Sequence, residues 1–140
     1  MYSDPDCLFC GIIAGSIPSE TIDSDDRTVA FMDINPATPG HALVVPRDHT
    51  ADLLEVGADD LSATMLTAQR LAKRMKSVLG ADGVNLINAC GAVAWQTVFH
   101  FHIHVVPRYE DDPLELPWVP EPGDADEIAQ IARRLRGEDG

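Results

Sequence analysis

The sequence is poor in positive charge and in long apolar runs, and each shortage excludes a class of protein. Only 10 Lys and Arg stand against 23 Asp and Glu, which gives a formal net charge of −13 at pH 7. Nucleic acids and anionic membranes are bound through clustered Lys and Arg, so this balance argues against both as partners. No apolar run approaches the length of about 18 residues that a membrane span needs, and the first residues do not resemble a signal peptide. We therefore expect a cytoplasmic protein that acts on a small ligand.

Cysteine is also scarce, because three residues in 140 cannot build the disulfide framework of a small secreted domain. Two of them form the pair Cys7-x-x-Cys10, which in a reducing compartment is typical of a metal or redox site. The third, Cys90, has no obvious partner and fits a buried thiol. The cysteines therefore predict a metal or redox site near residue 7.

The length and the hydrophobic content of 45% fit one domain, 1–140, with a core over about 7–109 and an acidic, proline-rich tail over 110–140. Apolar residues spaced three and four apart predict one long helix. Two later runs rich in β-branched and aromatic residues predict strands in the centre of a sheet. The expected elements, which make an α+β fold, are a short helix over 7–14 closed by Gly15, strands over 28–33 and 41–46, the long helix over 58–79 that Gly80 ends, strands over 84–89 and 99–106, and a helix over 125–136.

Three of the five histidines, His100, His102 and His104, alternate with bulky apolar residues. On a strand this spacing puts all three imidazoles on one face, with Cα atoms roughly 6.6 Å apart, while the apolar residues enter the core. A single strand histidine is often only a hydrogen-bonded core residue, but three in register predict a functional site. Two of them could instead bind a metal ion as a His-x-His pair. Since the outer two are roughly 13 Å apart, at least one ring stays free for chemistry.

The run from Gln96 to Val106 resembles the signature of the histidine-triad (HIT) superfamily. Upstream segments agree with the Hint branch of that superfamily in order and spacing, here with an N-terminal Cys-x-x-Cys. They are Leu8-Phe9, Ile12-Ile13, Ile17-Pro18, Phe31-x-Asp33-Ile-Asn-Pro and Gly40-His41-Ala-Leu-Val-Val-Pro.

The resemblance implies a five-stranded antiparallel sheet with one long helix and short N- and C-terminal helices. It also implies a homodimer that binds purine nucleotides such as AMP derivatives and hydrolyses nucleoside phosphoramidates or related nucleotidyl compounds at the α-phosphate. A nucleotidyl-histidine would form and water would hydrolyse it, with no metal required. Two alternatives stay open: a dinucleoside polyphosphate hydrolase of the Fhit type, and a nucleotide-binding interaction module without turnover.

By the same resemblance His102 is the nucleophile, and His104, His41 and Thr97 complete the catalytic set. Asp33 would accept hydrogen bonds from the ribose hydroxyls. Each apolar member of the implied pocket fits an ordinary core position equally well. The implied substrate-binding set is Asp33, Ile34, Phe9, Leu8, Ile12, Phe31, Gln96 and Asn88.

The loop after Asn88 departs from the Hint pattern in two ways. Trp95 stands where relatives commonly have a small glycine, and the loop is one residue longer. Asn88 is therefore a doubtful contact for the phosphate. The departures predict a change on the side of the pocket that holds the leaving group.

The pair Cys7 and Cys10 supplies half of a tetrahedral zinc site, which His49 and His100 could complete. Galactose-1-phosphate uridylyltransferase, a relative of the triad family, likewise uses a Cys pair, a His and the first His of its catalytic motif. We therefore predict a structural zinc held by these four residues. The alternative is two reduced cysteines packed against Phe9, with His49 facing solvent.

Overall fold

The computed structural model describes residues 1–138, and within them it confirms the α+β fold with a five-stranded antiparallel sheet and one long helix. The last two residues of the expected domain, 139 and 140, lie outside the described part. In chain order the elements are α1 (Leu8–Ala14), β1 (Thr21–Ser24), β2 (Thr28–Met32), β3 (Ala42–Pro46), α2 (Ala58–Leu79), β4 (Gly83–Ile87), a 3-10 turn (Ala92–Ala94), β5 (Ile103–Arg108) and α3 (Ala125–Leu135).

The strands are ordered β1-β2-β3-β5-β4, and every neighbouring pair is antiparallel. Alternation along the buried strand β3 sends Ala42 and Val44 into the core under α2, and Leu43 and Val45 to the opposite face under α1. Residues that pair across a ladder share a face, so His104, which pairs with Leu43, lies on the α1 side. The α1 face of the sheet is therefore the one that carries the candidate site.

Helix α2 has the predicted limits, because its buried positions recur on one face and Gly80 ends it at a φ of 68°. This helix covers the centre of the sheet. Neither it nor any other helix within residues 1–138 combines the length and apolar character that crossing a bilayer requires.

Three details differ from the sequence-based expectation. Strand β4 lies at the sheet edge and not in its centre, so Leu86 and Ile87 keep 41% and 43% of their surface exposed. Strand β1, which is short and mostly exposed, was not predicted. Helix α3 ends at Leu135, one residue short of the expected limit.

Gly40 lies in the turn that places His41 next to the sheet. We predict that Gly40→Ala lowers the unfolding free energy more than Gly80→Ala does. Both glycines have a positive φ, 100° and 68°, so alanine at either position is strained by about 1 kcal/mol. Only at Gly40 would the new Cβ meet neighbours, 2.6 Å from Leu79 Cδ1 and 3.0 Å from Pro107 Cγ. The clash should add about 1–3 kcal/mol to the loss of unfolding free energy, measured by urea denaturation. Equal losses in the two variants would contradict this account of the turn.

Candidate functional site

A cleft of about 320 Å³ opens on the α1 face of the sheet, between α1, the turn after β2 and the segment that leads into β5. Its volume lies at the lower end of the range for small-molecule pockets. One half is apolar, and the other half ends in the polar side chains of Asp33, Thr97, His102 and His104. The apolar half is lined mainly by Leu8, Phe9, Ile12, Ile17, Phe31 and Leu43.

His102 is held in one tautomer by its own backbone neighbourhood. Its Nδ1 lies 2.7 Å from the carbonyl oxygen of His100, which can only accept, so Nδ1 carries the proton and donates. The side-chain amide of Asn88 donates to the carbonyl oxygen of His102 at 2.9 Å and fixes the backbone. Burial lowers the pKa of His102, which keeps the ring neutral at pH 7. The lone pair is therefore on Nε2.

His41 and His104 are hydrogen-bonded to each other beside that ring, and the Asp33 carboxylate lies close to both. The backbone N–H of Ala37 donates to His41 Nδ1 at 2.9 Å, so the proton of a neutral His41 must be on Nε2. From there it can reach His104 Nδ1 at 2.9 Å or the Asp33 carboxylate at 3.4 Å. When His104 accepts at Nδ1, its own proton is on Nε2.

Both histidines of this pair are neutral at pH 7. Burial lowers the pKa of His104 to about 4, with the neighbouring rings of His102 and His41 acting in the same direction. Burial also lowers the pKa of His41, against the opposing charge of Asp33. The polar end of the cleft therefore offers one lone pair, on His102, and neutral donors around it.

A second cluster lies behind the cleft, where Cys7, Cys10, His49 and His100 bring one ligand atom each to within 4.8 Å of the others. His100 Nε2 donates to the carbonyl oxygen of Pro46 at 2.8 Å, which leaves the lone pair on Nδ1. That nitrogen lies 3.5 Å from Cys7 Sγ, 3.6 Å from Cys10 Sγ and 3.1 Å from His49 Nδ1. Ligands on a tetrahedral ion with bonds of about 2.0–2.3 Å are separated by roughly 3.3–3.8 Å. The four side chains fit such an ion.

The group Asp33, His41 and His104 also brings three possible ligand atoms together, but it fits a metal ion poorly. Because Ala37 already donates to His41 Nδ1, a metal on Nε2 would require an imidazolate or the loss of that hydrogen bond. Of these two clusters in the described chain, only the one with the two cysteines fits a metal ion.

The structure brings most of the predicted side chains to the cleft and its rear wall. Thr97, His102 and His104 line the polar end, and His41 contacts His104 from the turn just before β3. Ile34 is 88% exposed and stands at the rim.

Two members of the predicted substrate-binding set do not line the cleft. Gln96 is buried, where it accepts from the N–H of Gly91 and donates to the carbonyl oxygens of Ala51 and Val98. The side-chain amide of Asn88 is used on the backbone of His102. Because their amide groups are hydrogen-bonded to the protein backbone, these two residues support the segments around the cleft and do not line it.

The expectation of three histidines on one strand is also corrected. β5 begins at Ile103, so His100 and His102 precede it, although the rings of His102 and His104 still make contact, with centroids 5.0 Å apart. Pro18 and Ser19 line the cleft as well and were not predicted as site residues. Pro18 belongs to the Ile17-Pro18 segment that resembles the Hint branch, whereas Ser19 belongs to none of the segments named above.

Comparison with known proteins agrees with the resemblance to the histidine-triad superfamily. The HIT domain family model matches residues 14–111. A solved protein of Streptococcus mutans is 37% identical, with a TM-score of 0.91 over 96% of this chain and 86% of the other. A zinc-bound histidine triad family protein from Mycobacterium smegmatis is 36% identical, with a TM-score of 0.76 over 95% and 98%. A histidine triad nucleotide-binding protein from Candida albicans is 30% identical, with a TM-score of 0.82 over 94% and 96%.

We predict that Gln96→Ala lowers the unfolding free energy by about 1–3 kcal/mol, because it leaves three part-buried backbone groups without their partner. Urea denaturation measures the loss. Gln130→Ala, on the exposed face of α3, is the matched control and should cost less than about 0.5 kcal/mol. Similar losses in both variants would show that Gln96 does not hold the loop.

Proposed function

Because the chain belongs to the HIT domain family, we propose that it is a nucleotide hydrolase or transferase acting at the α-phosphate of purine nucleoside phosphoramidates or related nucleotidyl compounds. The observation that carries this proposal is the neutral ring of His102, held by the His100 carbonyl so that the Nε2 lone pair is available at the polar end of an apolar cleft. A fixed tautomer and a lone pair are what a histidine nucleophile needs.

The two halves of the cleft suit the two halves of a nucleotide. The apolar wall, formed in part by Leu8, Phe9 and Phe31, offers a slot for a flat purine. Asp33 lies where this wall meets the histidines, and its carboxylate can accept hydrogen bonds from ribose hydroxyls. We therefore assign the base to the apolar half, with Ile12 and Ile34 at its sides, and the α-phosphate to the polar half.

In the proposed reaction the lone pair of His102 Nε2 forms a bond to the α-phosphorus. The bond from phosphorus to the leaving group breaks, and its electron pair departs with that group, which takes a proton from water. His104 Nε2–H and the Thr97 hydroxyl donate to the phosphoryl oxygens, while His41 fixes the tautomer of His104. Water then attacks the phosphorus, the electron pair of the P–N bond returns to His102, and the water's proton is released. No metal takes part in either step.

Two other functions make different predictions for the same assay. A dinucleoside polyphosphate hydrolase would prefer a second nucleotide as leaving group, and an interaction module would bind AMP without turnover. We expect a higher kcat/KM for adenosine phosphoramidate than for diadenosine tetraphosphate. The reverse order would favour the first alternative, and binding without turnover of either compound would contradict the proposal and favour the second.

The comparison of the two substrates also tests Trp95, because the loop that contains it is predicted to alter the side of the pocket that holds the leaving group. It is the one non-glycine residue within 1–138 with a positive φ, 79°, and it is 69% exposed two residues before Thr97. Strained backbone of this kind is found preferentially at functional sites. Trp95→Gly should relax the backbone and should change the ratio of the two kcat/KM values.

We propose that the metal held behind the cleft is zinc and that its role is structural. Two thiolates and two imidazoles are a common zinc ligand set, and a solved relative is a zinc-bound protein. When bound, the ion would supply folding energy by joining α1 to the segments around His49 and His100. All four positions are occupied by protein side chains, so no ligand position is left for substrate.

Protein purified without chelators should therefore contain about one zinc per chain by elemental analysis. Cys10→Ser should lower the melting temperature clearly and the activity at low temperature much less, because a closed site does no chemistry. Cys90→Ser is the matched control, since Cys90 lies outside the cluster. Absence of zinc, even after refolding with the ion, would contradict the site.

We further propose a homodimer. Strand β4 ends the sheet with an unpaired edge, and the adjoining surface between α2 and β4 carries an apolar groove. Light scattering at micromolar concentration should give about twice the chain mass of 15.2 kDa, and a mass near that of one chain would contradict the dimer. The groove is lined by Met65, Leu66, Gln69, Ala72, Val84 and Leu86.

The assignment of the nucleophile is tested by the covalent intermediate. We predict that a rapid quench traps a nucleotidyl group on His102. Because this adduct is acid-sensitive, the peptides are prepared without acid before mass spectrometry locates the modified residue. His102→Ala should lower kcat on the order of 10⁴-fold while nucleotide binding survives. His104→Ala should cost only about 10²–10³-fold, as for the loss of one donor to a developing anion. An adduct on another residue, or a near-normal rate in His102→Ala, would overturn the assignment.

A further inference from the structure

The family model begins at residue 14, so the N-terminal segment with both cysteines lies before it. Within this segment Tyr2 and Asp4 contact the cluster of Cys7, Cys10, His49 and His100. The backbone N–H of Cys7 donates to the carbonyl oxygen of Asp4 at 3.1 Å, and the N–H of Asp4 lies 3.4 Å from Cys10 Sγ. Asp4 thus contacts the backbone of one cysteine and the sulfur of the other. An N–H aimed at sulfur stabilises the thiolate form that a metal ion requires.

The carboxylate of Asp4 is oriented as well. Its Oδ1 accepts from the backbone N–H of Asp6 at 2.9 Å, and its Oδ2 faces His49 Nε2 at 4.0 Å. The other nitrogen of this ring, Nδ1, is the one within the ligand cluster, 3.4 Å from Cys10 Sγ. A neutral His49 that offers Nδ1 to a metal must carry its proton on Nε2, on the side of Asp4.

Tyr2 limits the movement of the same ring. Its carbonyl oxygen accepts from the backbone N–H of His49 at 2.8 Å, and its ring packs edge-on against the imidazole, with centroids 5.5 Å apart. His49 is therefore enclosed on its outer side by Tyr2 and Asp4, and it presents Nδ1 inward.

We propose that Asp4 is a positioning residue for the metal centre. Its carboxylate, 4.0 Å from Nε2, electrostatically favours the His49 tautomer that offers Nδ1, its amide supports the thiolate of Cys10, and both contacts slow release of the ion. The inference rests on the zinc site proposed above. Partners of this kind, which orient a ligand without touching the metal, typically contribute 10–100-fold to metal affinity. Only the carboxylate contact is open to side-chain substitution, which makes it the part to test.

The chain supplies its own control. Asp4→Asn removes one negative charge, and Asp6→Asn removes the same charge two residues away from an exposed side chain while keeping the backbone N–H that Asp4 uses. Zinc release from wild type and both variants is followed with a chromophoric chelator. Asp4→Asn should release zinc about 10–100-fold faster than wild type, and Asp6→Asn within about twofold of it.

Two further readouts separate positioning from a general loosening of the N-terminal segment. In protein loaded with Co²⁺, Asp4→Asn should shift the visible d–d absorption, because the donor strength of His49 changes, whereas Asp6→Asn should not. Asp4→Glu, which keeps the charge, should release zinc more slowly than Asp4→Asn.

The outcomes separate the two proposals. Equal release rates and equal spectra in Asp4→Asn and Asp6→Asn, with zinc present in wild type, would overturn the role of Asp4 and leave the metal site intact. Wild type without bound zinc or Co²⁺ would overturn the metal site and the role of Asp4 together.

Discussion

The arrangement of the site depends on His100, a fully buried residue with both ring nitrogens and its carbonyl oxygen in contact with other polar groups. Its Nε2 donates to the carbonyl oxygen of Pro46, its Nδ1 lies within the cysteine cluster, and its own carbonyl accepts from the ring of His102. A buried polar group without partners is costly, so these three bonds fix the backbone, the side chain and the next histidine together. The proposed metal centre and the cleft thus share one residue while using different atoms of it.

Fixed hydrogen-bond partners determine where each proton in the histidine row lies. The carbonyl of His100 sets the tautomer of His102, the amide of Ala37 sets that of His41, and His41 in turn sets that of His104. No Lys or Arg lines the cleft within the described residues. A phosphate in this cleft would therefore be met by oriented neutral donors, which suits a chain with a net charge of −13 because no local clamp of positive charge is needed.

The predictable features were those set by local pattern. The spacing of apolar residues and Gly80 predicted the limits of α2 correctly, and the alternation of histidines pointed to side chains that line the candidate cleft. The first residue of β5 could not be predicted from local pattern, because it depends on where pairing with β3 stops. β3 ends at Pro46, which has no N–H to donate and whose carbonyl accepts from the His100 ring, and the ladder between β3 and β5 stops at the pair Val44 and Ile103.

Other errors have the same origin. The composition of β4 suits a central strand, but whether another strand pairs with its outer side is decided by topology and not by its own residues. Gln96 and Asn88 lie close in sequence to the site residues, yet each uses its amide on a backbone group of the protein. Sequence proximity to a motif therefore identified the region of the cleft, and the hydrogen-bond partners decided which side chains face it.

Helix α1 links the two halves of the site. It has 7 residues, far fewer than an isolated helix needs for stability in water, so tertiary contacts must hold it. Cys7 and Cys10 bring one of its sides to the metal cluster, while Phe9 packs against the rings of His100 and His102 and lines the apolar wall. Loosening the end of α1 at the proposed metal site would consequently reach the apolar wall through Phe9. His102 would be affected last, because a backbone carbonyl, and not α1, holds its tautomer.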